Sequence, residues 1–295
     1  MTNAVARERA EAMPAGEASP GWYFYGITRP GPLAAALAEA DGSSRGAEDA
    51  AGSPDGGDPL QLLDAGGLVA VVRAVPLAGY GRAVLQERLR HAPELEVMVR
   101  SHHRVIEAIH ARQAILPARL GTIYARRDDI VASLLAGRDS LLRQLQRLDG
   151  CDEWAVHLFA DRAIVRERAA TDDAEIGRLR EAHAGASRGR AFFLERQLRD
   201  RIESATREAM VALAQQAFDR LRREAVAGEI APVGDGGADA GLEILRASFL
   251  VRHEATEPFL HEAGASTTKG EGVRCEWSGP WPPYSFASVE AEAAQ

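Results

Sequence analysis

Val273-Arg274-Cys275-Glu276-Trp277-Ser278-Gly279-Pro280-Trp281-Pro282-Pro283-Tyr284-Ser285-Phe286 changes its grammar halfway along. Val273, Cys275 and Trp277 alternate with Arg274 and Glu276, the period of a strand with one buried face. Gly279 then permits a sharp redirection. Pro280, Pro282 and Pro283 fix φ and remove backbone donors, so the chain is expected to leave the sheet there as a stiff, polyproline-like tail. Trp281, Tyr284 and Phe286 hang from that tail as apolar anchors. Such a segment either closes as a lid over its own domain, the reading that suits Trp277 and Tyr284, or is presented to a partner. The Pro280-Trp281-Pro282-Pro283 string matches a PxxP ligand only loosely.

The rest of the chain sets the frame for that tail. At 295 residues with 46% hydrophobic content it is long enough for two domains with their own cores. The net charge of −8 argues against a dedicated nucleic-acid binder. Cys151 and Cys275 are too few for a disulfide framework and too isolated for a zinc site, which points to a reducing cytoplasm. No apolar run approaches the roughly 20 residues needed to cross a bilayer. Met1 to Ser19, rich in Ala, Glu and Arg, reads as a disordered leader (1–20), and 287–295 as a disordered tail.

An N-terminal α+β domain is expected over 21–149. Trp22 to Ile27 is its buried first strand, Leu33 to Ala40 a short helix, and 41–59 a mobile insertion rich in Gly, Ser, Asp and Ala. Leu68 to Val75 is a central strand. Gly66-Gly67 precedes it rather than following it, so the phosphate-cradling fingerprint fails. A helix from Pro93 carries Leu95, Met98, Val99, His102, Val105, Ile106 and Ile109 at helical spacing. Its His103 and His110 stand two turns apart, about 10.5 Å, too far to share a metal unaided. Ile115 to Tyr124 reads as two extended pieces joined by a bend at Pro117 and Gly121. A helix with the stripe Ile130, Leu134, Leu141, Leu145 and Leu148 then runs across Gly137, with Gly150 as its cap.

A second α+β domain, 150–286, opens with the strand Glu153 to Phe159, whose Trp154, Val156 and Leu158 share a face. Ser187 to Ala227 is a long helix with the stripe Leu194, Leu198, Ile202, Ala205, Ala209, Leu213, Ala217 and Leu221. Unbroken it runs close to 60 Å, so it is expected to project or bend. Ala205 and Ala209 leave room for close approach of another element. Arg188, Arg190, Arg196, Arg199 and Arg201 on it are interleaved with Glu195, Asp200 and Glu203, the pattern of intrahelical pairs on a solvated face. Leu242 to Arg252 is a strand with Leu245, Ala247, Phe249 and Val251 on one side. His253-Glu254-Ala255-Thr256-Glu257 lacks the second histidine of a zincin, and neither a Gly-x-Ser-x-Gly turn nor a cysteine with catalytic flanks is present.

Four stretches in this order, Trp22 to Ile27, Ile115 to Tyr124, Glu153 to Phe159 and above all Gly279 to Phe286, resemble the gas vesicle protein F/L family. The resemblance spans roughly Trp22 to Phe286. It departs from the family pattern at Leu120, where Phe is usual between Arg and Gly; the position stays apolar. What it implies is two α+β domains, the C-terminal one a modified ferredoxin-like fold with a long helix. It also implies a non-enzymatic cytoplasmic accessory protein, without cofactors, that binds the hydrophobic gas vesicle shell protein (GvpA-type) and other gas vesicle accessory proteins, not nucleic acid or a lipid membrane. A shell subunit with a water-repelling face needs an apolar groove or strand edge rimmed by charge. The candidate partner-binding residues are Trp277, Trp281, Tyr284 and Phe286 of the tail and Ala205 and Ala209 of the long helix. Two other classes stay open beside this one: a metal-dependent hydrolase using His102, His103, His110, His253 or His261, and a nucleic-acid module using the Arg-rich helix.

Overall fold

The structure is a computed structural model that describes residues 20–42, 58–76, 90, 92–234 and 241–287. The expected leader, the core of the expected insertion and the last residues lie outside these. The chain divides between Asp149 and Gly150 into two compact units, the second being Gly150–Phe286.

The first unit is built on an antiparallel sheet ordered β2 (Gln61–Asp64), β3 (Val69–Pro76), β1 (Pro20–Thr28), β4 (Ile115–Pro117), with β5 (Ile123–Tyr124) also pairing β1. Pro20 already pairs Pro76, so the first strand begins one residue inside the expected leader. From Gly21 to Thr28 every residue of β1 is buried, because neighbours flank it on both sides and apolar side chains cover both faces. Helix α1 (Ala34–Gly42) packs on α2 (Ala92–His110), whose buried Met98, Val105, Ile106 and Ile109 follow the helical period read from the sequence.

The long helix expected across Gly137 is two helices, α3 (Arg127–Ala136) and α4 (Arg138–Leu148). Gly137 sits at φ −94°, ψ 5°, outside the helical well, and ends one helix while starting the other. Gly150, at φ +66°, follows α4 as a left-handed terminator.

In the second unit the sheet is ordered β7 (Ala227–Ala231), β8 (Leu242–Arg252), β6 (Cys151–Ala160), β9 (Val273–Trp281), antiparallel throughout. The connectivity interleaves two split βαβ units: β6 reaches β7 through helices, β8 reaches β9 through another, and β8 inserts beside β6. Trp154, Val156 and Leu158 of β6 and Leu245, Ala247, Phe249 and Val251 of β8 face one core with Phe259 and Ala263 of α8 (Thr256–Ala265). Those strand faces are the ones read from period-2 alternation.

Helices α5 (Arg162–Asp172) and α6 (Ala174–Ala184) precede the long helix α7 (Arg188–Arg223). Asp161 caps α5 by accepting from the Ala163 and Ile164 amides, and Asp173 caps α6 through Glu175 and Ile176. Helix α7 is continuous over 36 residues, about 54 Å. Its burial changes face along its length. In the first half Leu198, Ile202 and Ala205 meet Ala170 and Ile176 of α5 and α6. In the second half Ala217 and Leu221 meet the sheet. At 100° per residue the two contact stripes lie about a third of a turn apart, so one continuous helix serves two layers.

Candidate functional site

Strand β9 is one of the two edge strands of its sheet, bonded to β6. Cys275 stands opposite Leu158 and Trp277 opposite Val156, so both lie on the core face, as the alternation predicts. Cys275 is buried, but Trp277 is 41% exposed. The reading that packs Trp277 inside is corrected: on an edge strand no further strand shields a side chain this large.

The chain does not leave the sheet at Gly279. A bulge between the Ser278 and Trp281 pairings is taken up there, and Trp281 pairs with Glu153. A bulge re-aims every side chain after it. Trp277 and Trp281 would share a face in a regular strand. Instead Trp281 lies on the Glu153 side, 39% exposed, with its indole N–H donating to Ser278 Oγ at 3.2 Å. The Gly279–Pro280 peptide is cis. Gly279 itself adopts φ +146°, and a Cβ there would stand 2.9 Å from both the Glu153 carbonyl oxygen and the Trp154 ring. Only glycine fits such a backbone and such an approach.

Beyond Trp281 the tail folds down. Pro282, Pro283 and Phe286 are buried, whereas Tyr284, expected inside, is 38% exposed. The clasp is Glu153, a buried carboxylate: it accepts from the Ser285 amide at 2.7 Å and from the Ser285 hydroxyl at 2.6 Å. Ser285 Oγ also lies 3.1 Å from Ser248 Oγ. The tail is therefore half lid and half display. Phe286 and two prolines pin it, and Trp277, Trp281 and Tyr284 point to water.

Ala205 and Ala209 belong to a different feature. Where α5 ends, the seam it shares with α7 continues as a groove of about 510 Å³, floored by Val165, Ala169, Ala205, Ala209, Ala212 and Leu213. Asp172, Asp173, Glu208 and Glu271 stand on its rim with Arg168. Glu271 lies two residues before β9, so the groove and the aromatic tail sit at opposite ends of that strand, about 26 Å apart.

Arg201 is the largest departure from the expected solvated arginine face. Only 26% of its side chain is exposed, and it bridges helices, reaching Asp173 at 2.5 Å, Glu208 at 3.0 Å and Glu175 at 3.3 Å. The Ile176 amide and Arg201 hold the Asp173 carboxyl below its ordinary range, and Arg201 does the same to Glu208. Elsewhere on α7 the pairing follows the expected pattern, Arg199 with Glu195 at 3.4 Å and Arg196 with Asp200 at 3.9 Å.

Sequence reasoning missed Phe192 and Phe193, which are 72% and 62% exposed. A signal was there: Phe192-Phe193-Leu194 sweeps some 200° of a helix, wider than one apolar stripe, so not all three can be buried. Leu194 took the inside.

The histidines do not converge. Among the described residues no group of three or more His, Cys, Asp or Glu is placed to hold a metal. His102 is a core residue whose tautomer follows from its partners: Nε2–H donates to the Ala118 carbonyl at 3.0 Å, leaving Nδ1 to accept from Tyr23 O–H at 3.1 Å. The same Tyr23 oxygen accepts from the Gly121 amide at 3.2 Å, so the bend between β4 and β5 is tied to α2. Burial pulls the His102 pKa down to about 4. His103 lies 3.8 Å from Glu107, and His253 3.3 Å from Asp152. Cys151 and Cys275 are free and buried, and burial pushes the Cys275 thiol up to about 11, away from the thiolate a nucleophile needs. On β6 and β8, His157, Arg246 and the Gly234 amide all bond Glu243. Burial works against the Glu243 charge, but these donors overcome it and hold the carboxyl at about 2. No helix among the described residues is long and apolar enough to cross a membrane.

Comparison with known proteins places this geometry. Residues 21–288 match the family described as "Gas vesicle synthesis protein GvpL/GvpF". A protein of Streptomyces sp. (strain CB03234) named gas vesicle protein L is 33% identical over 240 residues, covering 80% of this chain and 86% of that one. The crystal structure of the gas vesicle protein GvpF from Anabaena sp. PCC7120 superposes with a TM-score of 0.64 at 21% identity, covering 92% of this chain and 99% of that one. GvpF from Microcystis aeruginosa gives 0.58 at 18%, covering 91% and 99%. At these identities the two structures establish the α+β fold, which matches the one described above.

Proposed function

The chain belongs to the gas vesicle GvpL/GvpF family and takes part in gas vesicle formation, and on that premise we propose that it is a non-enzymatic accessory protein that binds the hydrophobic shell subunit during assembly. Other accessory proteins are its further partners, and the cytoplasm and the forming vesicle are where it works. The observation that carries this reading is the display of Trp277, Trp281 and Tyr284 on a tail whose other half is pinned. Isolated surface aromatics need no explanation, but three exposed within eight residues, spread over both faces of one edge strand and the turn after it, are a concentration of apolar surface of the kind that marks interaction sites. Arg274 and Glu276, paired with each other on the face of β9 that Trp281 shares, put charge beside Trp281. That rim keeps the free protein in solution while the aromatics wait for an apolar partner.

The test is co-expression with the shell subunit, followed by affinity capture and measurement of the shell protein that stays in solution. Wild type is expected to capture it and raise its soluble fraction. Trp277→Ser with Trp281→Ser and Tyr284→Ser is expected to lose capture by at least about tenfold while the melting temperature stays within a few degrees. Full capture by the triple variant refutes the assignment of the tail. No capture by wild type refutes shell binding itself.

A further inference from the structure

The first turns of α7 carry Arg188, Arg190, Phe192, Phe193, Arg196 and Arg199. Two adjacent phenylalanines, 72% and 62% exposed, are costly to leave in water, and nothing in the described unit covers them. Their flanks carry Arg188, Arg190, Arg196 and Arg199 against Glu195 and Asp200, which pair Arg199 and Arg196, so the segment keeps a net positive charge in a chain whose net charge is −8. The alanine-floored groove farther along the same helix has the opposite character, with Asp172, Asp173, Glu208 and Glu271 against the single Arg168. Arg168 pairs Glu271 at 3.1 Å and Arg201 pairs Asp173 and Glu208, so the acids keep the rim negative without repelling one another. A floor of Val165, Ala169, Ala205, Ala209 and Ala212 leaves the width that large planar side chains need.

The two features cannot meet within one molecule. At 100° per residue the phenylalanines and the groove alanines lie on nearly opposite faces of α7, and Phe193 and Ala205 are about 18 Å apart along the axis. We propose that Phe192 and Phe193 of one molecule insert into the groove of a second copy, so that the protein self-associates head to tail through its C-terminal unit. The contact is heterologous: each copy offers its aromatic pair on one side and its groove on the other. Such contacts propagate into rows unless the rotation closes a ring. Charge complementarity sets the register, arginines against the acidic rim, and makes the association weaken as salt rises.

The experiment is sedimentation velocity on the full chain over roughly a hundredfold range of concentration, at low and high salt, with thermal melts as the folding control. Wild type is expected to grow in mass with concentration, less so in high salt. Phe192→Ser with Phe193→Ser removes the insert, and Ala209→Trp fills the groove. Each is expected to raise the dissociation constant by at least about tenfold. Asp172→Lys, on the exposed rim, is expected to act in the same direction and serves if Ala209→Trp misfolds. The deciding sample is an equimolar mixture of the aromatic-less and groove-filled variants, which retains one groove and one insert and so forms dimers and nothing larger. A monomeric wild type overturns the proposal. So does association that survives both groove variants, which would put the aromatic pair elsewhere, or a mixture that stays monomeric.

Discussion

Ser285→Ala removes one hydroxyl from the clasp that holds the tail. The lost contact is a 2.6 Å bond from Ser285 Oγ to a carboxylate on Glu153, a residue 6% exposed. Hydrogen bonds to a charged acceptor contribute about 1.5–3 kcal/mol, and the Ser285 amide still holds the second oxygen, so about 2 kcal/mol of the second unit's stability is expected to go. For a unit of this size that is a fall of about 1 M in the urea midpoint, at a slope near 2 kcal/mol per molar. Tryptophan emission follows the transition, since Trp154, Trp277 and Trp281 all lie in this unit. Glu153→Gln keeps the shape and can still accept from the amide, so about 1 kcal/mol is expected there. In the double variant the losses should fall short of their sum by about 1 kcal/mol, because both changes break one bond. A Ser285→Ala loss below about 0.5 kcal/mol, or full additivity, refutes the clasp.

Two further predictions follow from the geometry. Gly279→Ala is expected to cost about 3 kcal/mol, because φ +146° is foreign to alanine and its Cβ would meet the Glu153 carbonyl and the Trp154 ring. Urea unfolding checks it, and a near-neutral result would mean that β9 does not lie so close to β6. The stability of the first unit is expected to depend on pH through His102, whose folded pKa of about 4 lies below the ordinary 6.5. The unfolded chain then binds the proton more readily. The His102 contribution is complete above about pH 6.5 and falls as pH drops towards 4, by up to about 3 kcal/mol, flattening below. A His102→Gln variant whose urea midpoint keeps the wild-type slope between pH 6.5 and 4 would sink this account.

What the residues disclosed, and what they hid, divides along physical lines. Period-2 alternation assigned the core faces of β6 and β8 correctly down to Trp154, Val156, Leu245 and Phe249, because a buried face leaves the register little freedom. Helix α2 was equally legible, and its lone core histidine was correctly placed on the apolar stripe. Two kinds of information were not local. Trp277 keeps its predicted face yet stays exposed, since it stands on an edge strand. Trp281 changes face because of a bulge that no periodicity announces. In α7 the stripe read as one is two: Met210 and Thr206 are buried where the helix turns from α5 and α6 towards the sheet, and a single-stripe reading passes over both. Ala205 and Ala209 were singled out for small size and do line a groove. That Asp172 and Glu271 complete its rim required the fold.

The choice between lid and interface, open on the residues alone, rests on treating the tail as one object, and the structure divides it. Phe286, Pro282 and Pro283 are inside, and Ser285 hangs from a buried carboxylate, while Trp277, Trp281 and Tyr284 face water. Pinning and display then serve the same end. A free aromatic tail loses about 0.5–1.5 kcal/mol for each rotamer-rich side chain that a partner immobilises, along with the backbone freedom of the segment. A tail already fixed at Pro282, Pro283, Ser285 and Phe286 has lost most of that freedom on folding. In the binding we propose, its exposed aromatics would meet an apolar surface with less left to give up. On the proposed reading the buried Glu153 is the structural condition for the exposed tryptophans to bind a partner, and the two halves of the tail are expected to fail together when the clasp is removed.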